Sequence, residues 1–198
     1  MAVTLVSGPR RRRADAQRSI DAIVAAARCL LGERPDARVE EIAAAAGITR
    51  QTVYAHFPSR DALVAAVVHA VREEGLAALD AAHLDDLPPV DAMRKFLEIS
   101  WQLLERCTVL LEPMMARHSE TMDDDSHHGV ALIISRIVQR GQESGDFDSG
   151  LPLDWLVTAT HSLGHMAAEQ VVSGKLSAAE AAVLLEASVL QLYGAQRD

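Results

Sequence analysis

One glycine constrains this chain more than any other residue: Gly47, in the middle of VEEIAAAAGITRQTVYAHFPSRDAL, Val39 to Leu63. Ile42 and Ala46 recur at helical spacing before it, and Ile48 is placed to drop into the corner after it. Thr49 is a good N-cap type directly ahead of Arg50, so a second helix is expected to begin at Arg50. Ser59 repeats the device ahead of a longer, fourth helix. Two short helices joined by a tight glycine turn form a helix-turn-helix, whose second helix has the shape to enter a DNA major groove.

The leading turn of that second helix carries Arg50, Gln51 and Thr52, the candidates for base readout. Arg binds guanine bidentately, Gln binds adenine, and a Thr methyl meets the thymine methyl. The chain contains no Asn, which leaves Gln51 as the only amide on that turn for an adenine contact. Backbone N–H groups near Ser59, at the start of the fourth helix, are suited to a phosphate.

Tyr54, His56, Phe57, Pro58, Ser59, Arg60 and Leu63 together resemble the recognition-helix signature of the TetR (tetracycline-repressor) family of transcriptional regulators. Arg60 stands where that family more often has Lys, and the charge is kept. The resemblance covers about the N-terminal third; the remainder matches in length and helical rhythm. It implies a ligand-responsive, homodimeric DNA-binding regulator, a repressor released from a pseudo-palindromic operator by a small molecule. It also implies phosphate contacts from Tyr54 and His56, with Arg60 adding charge to the same backbone. Phe57, fully apolar, is assigned to the core beneath the helix. Thr49 and the basic run Arg10–Arg13 (Arg12 and Arg13 nearest the first helix) complete the expected DNA-binding set, the run acting as a disordered arm.

Charge fits that division. The formal net charge is −9, yet residues 1–75 carry +2 and residues 76–198 carry −11. Acid concentrated in the second part favours one docking orientation on DNA. No apolar run approaches the roughly 20 residues that span a bilayer. The N-terminal charges follow a short apolar stretch, the reverse of a secretory signal, so a cytoplasmic location is expected. Cys29 and Cys107 lie in apolar helical patterns and read as buried thiols, not as a bridge.

The expected fold class is all-α: nine helices, with a three-helix DNA-binding domain at the N-terminus. Residues 1–60 are read as arm plus helix-turn-helix, and residues 61–198 as a helical effector-binding and dimerisation domain. The first helix is placed from about Ala14, and the stretch SETMDDDS is read as an exposed loop before a seventh helix near His128. Two final helices, about Leu153–Ser173 and Ser177–Tyr193, are apolar on more than one face, so one face is left for a second copy of the chain. Trp101, Met114, Met115, His118, Trp155, His161 and His165 suit a mostly apolar pocket with a few polar anchors, and the resemblance implies an effector site in this region. No cofactor or metal is expected, although His161 and His165 have the i, i+4 spacing of metal ligands. The competing classes are a helical enzyme and a protein-binding adaptor. The chain has no G-x-S-x-G, H-E-x-x-H, P-loop or C-x-x-C motif for the first. For the second, an apolar patch would be needed where Arg50, Gln51, Thr52, Tyr54 and Arg60 stand.

Overall fold

Among the described residues, glycines in the left-handed region follow four of the helices, and three of them close their helix by the same hydrogen-bond pattern. Gly47 (φ 69°), Gly174 (φ 70°) and Gly194 (φ 65°) are the residues concerned. The Gly47 N–H donates to Ala44 O (3.1 Å) and the Ile48 N–H to Ala43 O (3.0 Å); equivalent pairs are made at Gly174 and Gly194. These are Schellman closures, in which the last carbonyls of a helix find donors in the turn that leaves it.

The computed structural model describes residues 9–106 and 124–195, with side chains for 14–105 and 129–195. Among these are eight α-helices and no strand: α1 (Pro9–Glu33), α2 (Val39–Ala45), α3 (Arg50–His56), α4 (Arg60–Ala81), α5 (Pro89–Arg106), α6 (Asp124–Ser144), α7 (Leu153–Val172) and α8 (Ala178–Leu192). A 3-10 turn, Leu84–Asp86, lies between α4 and α5. The expected helix containing Met114 and Met115 lies outside the described residues.

Two helix starts differ from expectation. α1 begins at Pro9, so Arg10–Arg13 form its first turns and are not a disordered arm. Proline is favoured at the first helical position, where no N–H is needed, and arginine is a good helix former. α6 begins at Asp124, so the last three residues of SETMDDDS are helical. Acidic residues are favoured in the first turn of a helix, at the positive end of its dipole. Cys29 is a third difference: it is exposed. The buried stripe of α1 runs through Ile23, Ala27 and Leu31. Cys29 follows Ala27 by two residues and so falls on the far side of the helix. Cys107 lies outside the described residues.

The chain divides into two compact units, Met1–Ala70 and Val71–Asp198, and the division falls inside α4. The first unit buries Ile23, Ala27, Leu31, Ala37, Val39, Ile42, Ala43, Val53, Phe57, Leu63, Val64, Val67 and Val68.

The second unit is built on α5, α6, α7 and α8, with a core that includes Met93, Phe96, Trp101, Ile134, Ile137, Leu156, Leu185, Val189 and Tyr193. Polar side chains fasten its loops. Arg140 on α6 donates to the carbonyl oxygens of Leu84 (3.2 Å), Asp85 (2.7 Å) and Leu87. The Arg136 guanidinium pairs with Asp85 at 3.2 Å. Together they hold the turn after α4, where His83 adopts a left-handed φ of 48°. Buried Tyr193 stacks at a tilt on Phe147 (ring centroids 5.0 Å apart) and shares a hydroxyl hydrogen bond with Thr160. The Thr160 hydroxyl also lies 2.8 Å from Leu156 O, to which it donates. Burial pushes the Tyr193 hydroxyl up to about 12.

Gly141 is required by contact. A Cβ there would lie 2.0 Å from the Phe147 ring, which Tyr193 backs, whereas nothing lies within 4 Å of a Cβ at Gly164. Gly141→Ala is therefore expected to lower unfolding free energy by about 1–3 kcal/mol. Gly164→Ala is expected to raise it by up to about 1 kcal/mol through helix propensity. Denaturant titration of both variants checks the contrast. Tyr193 contributes most while its hydroxyl is protonated, below its unfolded value of about 10. That contribution falls as pH rises from 10 toward 12. Tyr193→Phe should flatten this part of the stability profile.

Candidate nucleic-acid interface

A seven-residue helix has too few internal hydrogen bonds to stand alone in water, so α3 owes its order to its ends and its underside. Thr49 caps the start: its Oγ1 accepts from the Thr52 N–H at 3.2 Å and lies 2.8 Å from the Thr52 hydroxyl. Ser59 caps the next helix, its Oγ accepting from the Ala62 N–H at 3.0 Å. The underside is Val53, 1% exposed, and Phe57, 9% exposed, one helical turn apart. Phe57 thus takes the core position expected of it.

With Val53 and Phe57 facing inward, helical geometry sets every other direction. Gln51 and Ala55 fall opposite the core and are exposed. Arg50 and Tyr54 form one flank, also exposed, and Thr52 and His56, both half-buried, form the other. Ala55 is absent from the contacts expected from sequence, yet it stands at the centre of the outward face. The signal for it is its spacing: it follows Gln51 by four residues. Its small side chain lets the helix approach a surface closely, and a methyl group is the right partner for thymine.

The two arginines of the expected set that lie at the starts of α3 and α4 are already engaged within the protein. Arg50 Nη1 lies 2.8 Å from Glu40 Oε1, and its guanidinium carbon is 5.2 Å from the centre of the Tyr54 ring. Arg60 donates to the Pro35 carbonyl, tying the α1–α2 loop to the start of α4. Arg12 and Arg13 fall within α1, and their side chains lie outside the described residues.

The neighbouring helix α2 is anchored by Glu41. Its carboxylate accepts from the Arg38 backbone N–H (2.9 Å) and pairs with Arg34 (2.9 Å). The Arg38 N–H, with Arg34 beside it, holds the Glu41 carboxyl below the usual glutamate range.

Of the side chains expected in an effector pocket, Trp101 is buried and donates from Nε1 to Glu105 Oε1 at 3.1 Å. His161 and His165 stack edge to face with ring centroids 5.4 Å apart. Trp155 differs from expectation. It is 62% exposed, because the adjacent Leu156 takes the inward face of α7. Met114, Met115 and His118 lie outside the described residues. Among the described residues, no group of three or more His, Cys, Asp or Glu is arranged to hold a metal ion.

A capped helix with a small, exposed face, following a glycine turn, defines the class: a helix-turn-helix DNA-binding module. Comparison with known proteins agrees. Residues 23–67 match the model of bacterial regulatory proteins of the tetR family. The probable HTH-type transcriptional regulator ArpR of Pseudomonas putida is 30% identical over 158 residues, 70% of this chain and 75% of that protein. The HTH-type transcriptional regulator TtgR, also of Pseudomonas putida, is 29% identical over 159 residues, 71% of this chain and 75% of that protein. Among solved structures, LfrR from Mycobacterium smegmatis in complex with proflavine aligns at a TM-score of 0.62 and 24% identity, over 88% of this chain and 96% of that one. This chain belongs to the TetR family of DNA-binding transcriptional regulators.

The caps and the turn carry separable shares of the module's stability. Thr49→Ala is expected to cost about 1 kcal/mol through loss of the cap. Gly47→Ala is expected to cost about as much, because φ of 69° strains any side chain there. Hydrogen exchange at the amides of Thr52 and Val53 reports both.

Proposed function

We propose that this regulator is a homodimeric repressor that reads a pseudo-palindromic operator with α3 and releases it when a small, mostly apolar molecule binds the second unit. The observation that carries the reading is the rotation of α3: Val53 and Phe57 are buried, so Gln51 and Ala55 face outward. Gln51 and Arg50 read base edges, while Tyr54 and His56 donate to phosphates from the two flanks. Thr52 offers its methyl, and Thr49 orders the helix start. Arg60 contributes positive charge near the backbone while holding the Pro35 loop.

Dimerisation through α7 and α8 is supported by their outward faces. Trp155 and Met166 on α7, and Val183 and Leu184 on α8, are each more than half exposed. Large apolar side chains grouped on adjacent helices mark an interaction surface. Two copies related by a two-fold axis would present two recognition helices to two half-sites.

The ligand class is supported by composition and kinship. Trp101, His161 and His165 combine apolar surface with polar tips, and LfrR is a family structure in complex with proflavine. α4, running from Arg60 in the first unit to Ala81 in the second, is the covalent route between effector and operator. A coupling of about 1–3 kcal/mol would change operator affinity roughly 5–150-fold.

Ala55→Glu tests the reading with little risk to the fold, since the position is exposed. Operator binding in a gel shift should be lost while the melting temperature holds; retained binding would overturn the assignment of α3. Val183→Glu combined with Leu184→Glu should convert dimer to monomer in sedimentation and weaken operator binding by roughly ten-fold or more, since one half-site is then read alone. A dimer that persists would place the interface elsewhere.

A further inference from the structure

The ion pair between Glu40 and Arg50 does little for stability, which raises the question of what else it does. Both side chains are well exposed, 49% for Glu40 and 61% for Arg50. Exposed pairs of this kind contribute about 0–1 kcal/mol. Its position is what sets it apart. Arg50 is the first residue of α3, and its guanidinium lies along the Tyr54 ring on one flank of the outward face. Glu40, from the first turn of α2, holds that guanidinium at 2.8 Å.

From this geometry we infer that Glu40 is a specificity-determining residue: it withholds Arg50 from DNA phosphates in general and leaves it for base edges at the operator. The inference rests on α3 being the reading helix. A lone arginine on such a surface binds any duplex, because phosphates are everywhere and their attraction needs little geometry. A carboxylate already paired with Arg50 cancels that attraction and repels nearby phosphates. Guanine offers what a phosphate chosen at random does not: two acceptors, O6 and N7, fixed in the plane of one base edge. One bond to Glu40 occupies one of the guanidinium's several donors, so a bidentate contact to such an edge remains available. The Tyr54 ring keeps the guanidinium plane from swinging off that flank.

The pair therefore reduces binding to random DNA more than binding to the operator. This is discrimination by penalising the wrong partner, not by adding contacts to the right one.

The test compares the full chain with Glu40→Gln, Arg50→Ala and the double variant, on an operator selected by the full chain from a random DNA pool and on a random duplex, from about 50 to about 200 mM salt. Gln keeps the shape of Glu40 and removes its charge, and unchanged melting confirms that the module is intact. Glu40→Gln should tighten random-duplex binding and steepen its salt slope by about 1.8 per dimer, the mark of one added phosphate contact from each protomer. That slope makes the gain about twelve-fold larger at the lower salt than at the higher. Operator affinity should change less, so the ratio of specific to random binding falls. In the double variant the gain should vanish. An unchanged slope and ratio in Glu40→Gln would overturn the inference. So would a gain that survives in the double variant, since Glu40 would then act as a general negative charge and not through Arg50. Failure of the underlying reading looks different: Arg50→Ala and Ala55→Glu would both leave operator binding intact.

Discussion

The burial of Val53 and Phe57 is the interaction on which the functional surface depends. α3 spans only seven residues, so it has no stable orientation of its own. Two apolar side chains one turn apart, each worth about 1.5–3 kcal/mol when buried, fix its rotation about its axis. Gln51 and Ala55 face outward for that reason alone. The caps at Thr49 and Ser59 fix where α3 begins and where the next helix starts. The Schellman closure at Gly47 fixes the direction in which the chain enters.

Much of this is legible in the sequence because the signals are local. Gly47, Thr49 and Ser59 act within three residues of themselves, and the observed start of α3 at Arg50 agrees with them. The same holds for Gly174 and for Ser177, whose hydroxyl and backbone N–H both bind Glu180 and hold its carboxyl below the usual range. Less legible are the places where two weak signals compete. The arginine run reads as a tail unless Pro9 is counted as a helix start. The acidic stretch before α6 reads as a loop when charge is weighed above the helix dipole. Cys29 reads as buried from its apolar neighbours, but its angle from Ala27 decides otherwise. Contacts that join distant residues are not legible at all. Arg60 on the Pro35 carbonyl spans 25 residues, and Arg140 on the Asp85 carbonyl spans 55.

The two units differ in core and in charge. The first spends its small core on presenting one short helix, and its charge is nearly balanced. The second carries most of the acid, a core of aromatic and aliphatic side chains around Tyr193, and an apolar exterior on its last two helices. Trp155 illustrates the difference between composition and geometry. By type it suits a ligand pocket, yet by position it faces outward, as Met166 does, and belongs with the surface proposed for the second protomer. α4 runs through the division between the units, and in the proposed mechanism it is the segment of chain that links effector to α3.

Selection of bound sequences from a random DNA pool by the purified protein tests the central claim most directly. The account predicts enrichment of a pseudo-palindrome whose two halves are read by two copies of α3, and whose enrichment disappears in Ala55→Glu. A pool that remains random with a folded dimer, or an enriched motif that Ala55→Glu still selects, would contradict it.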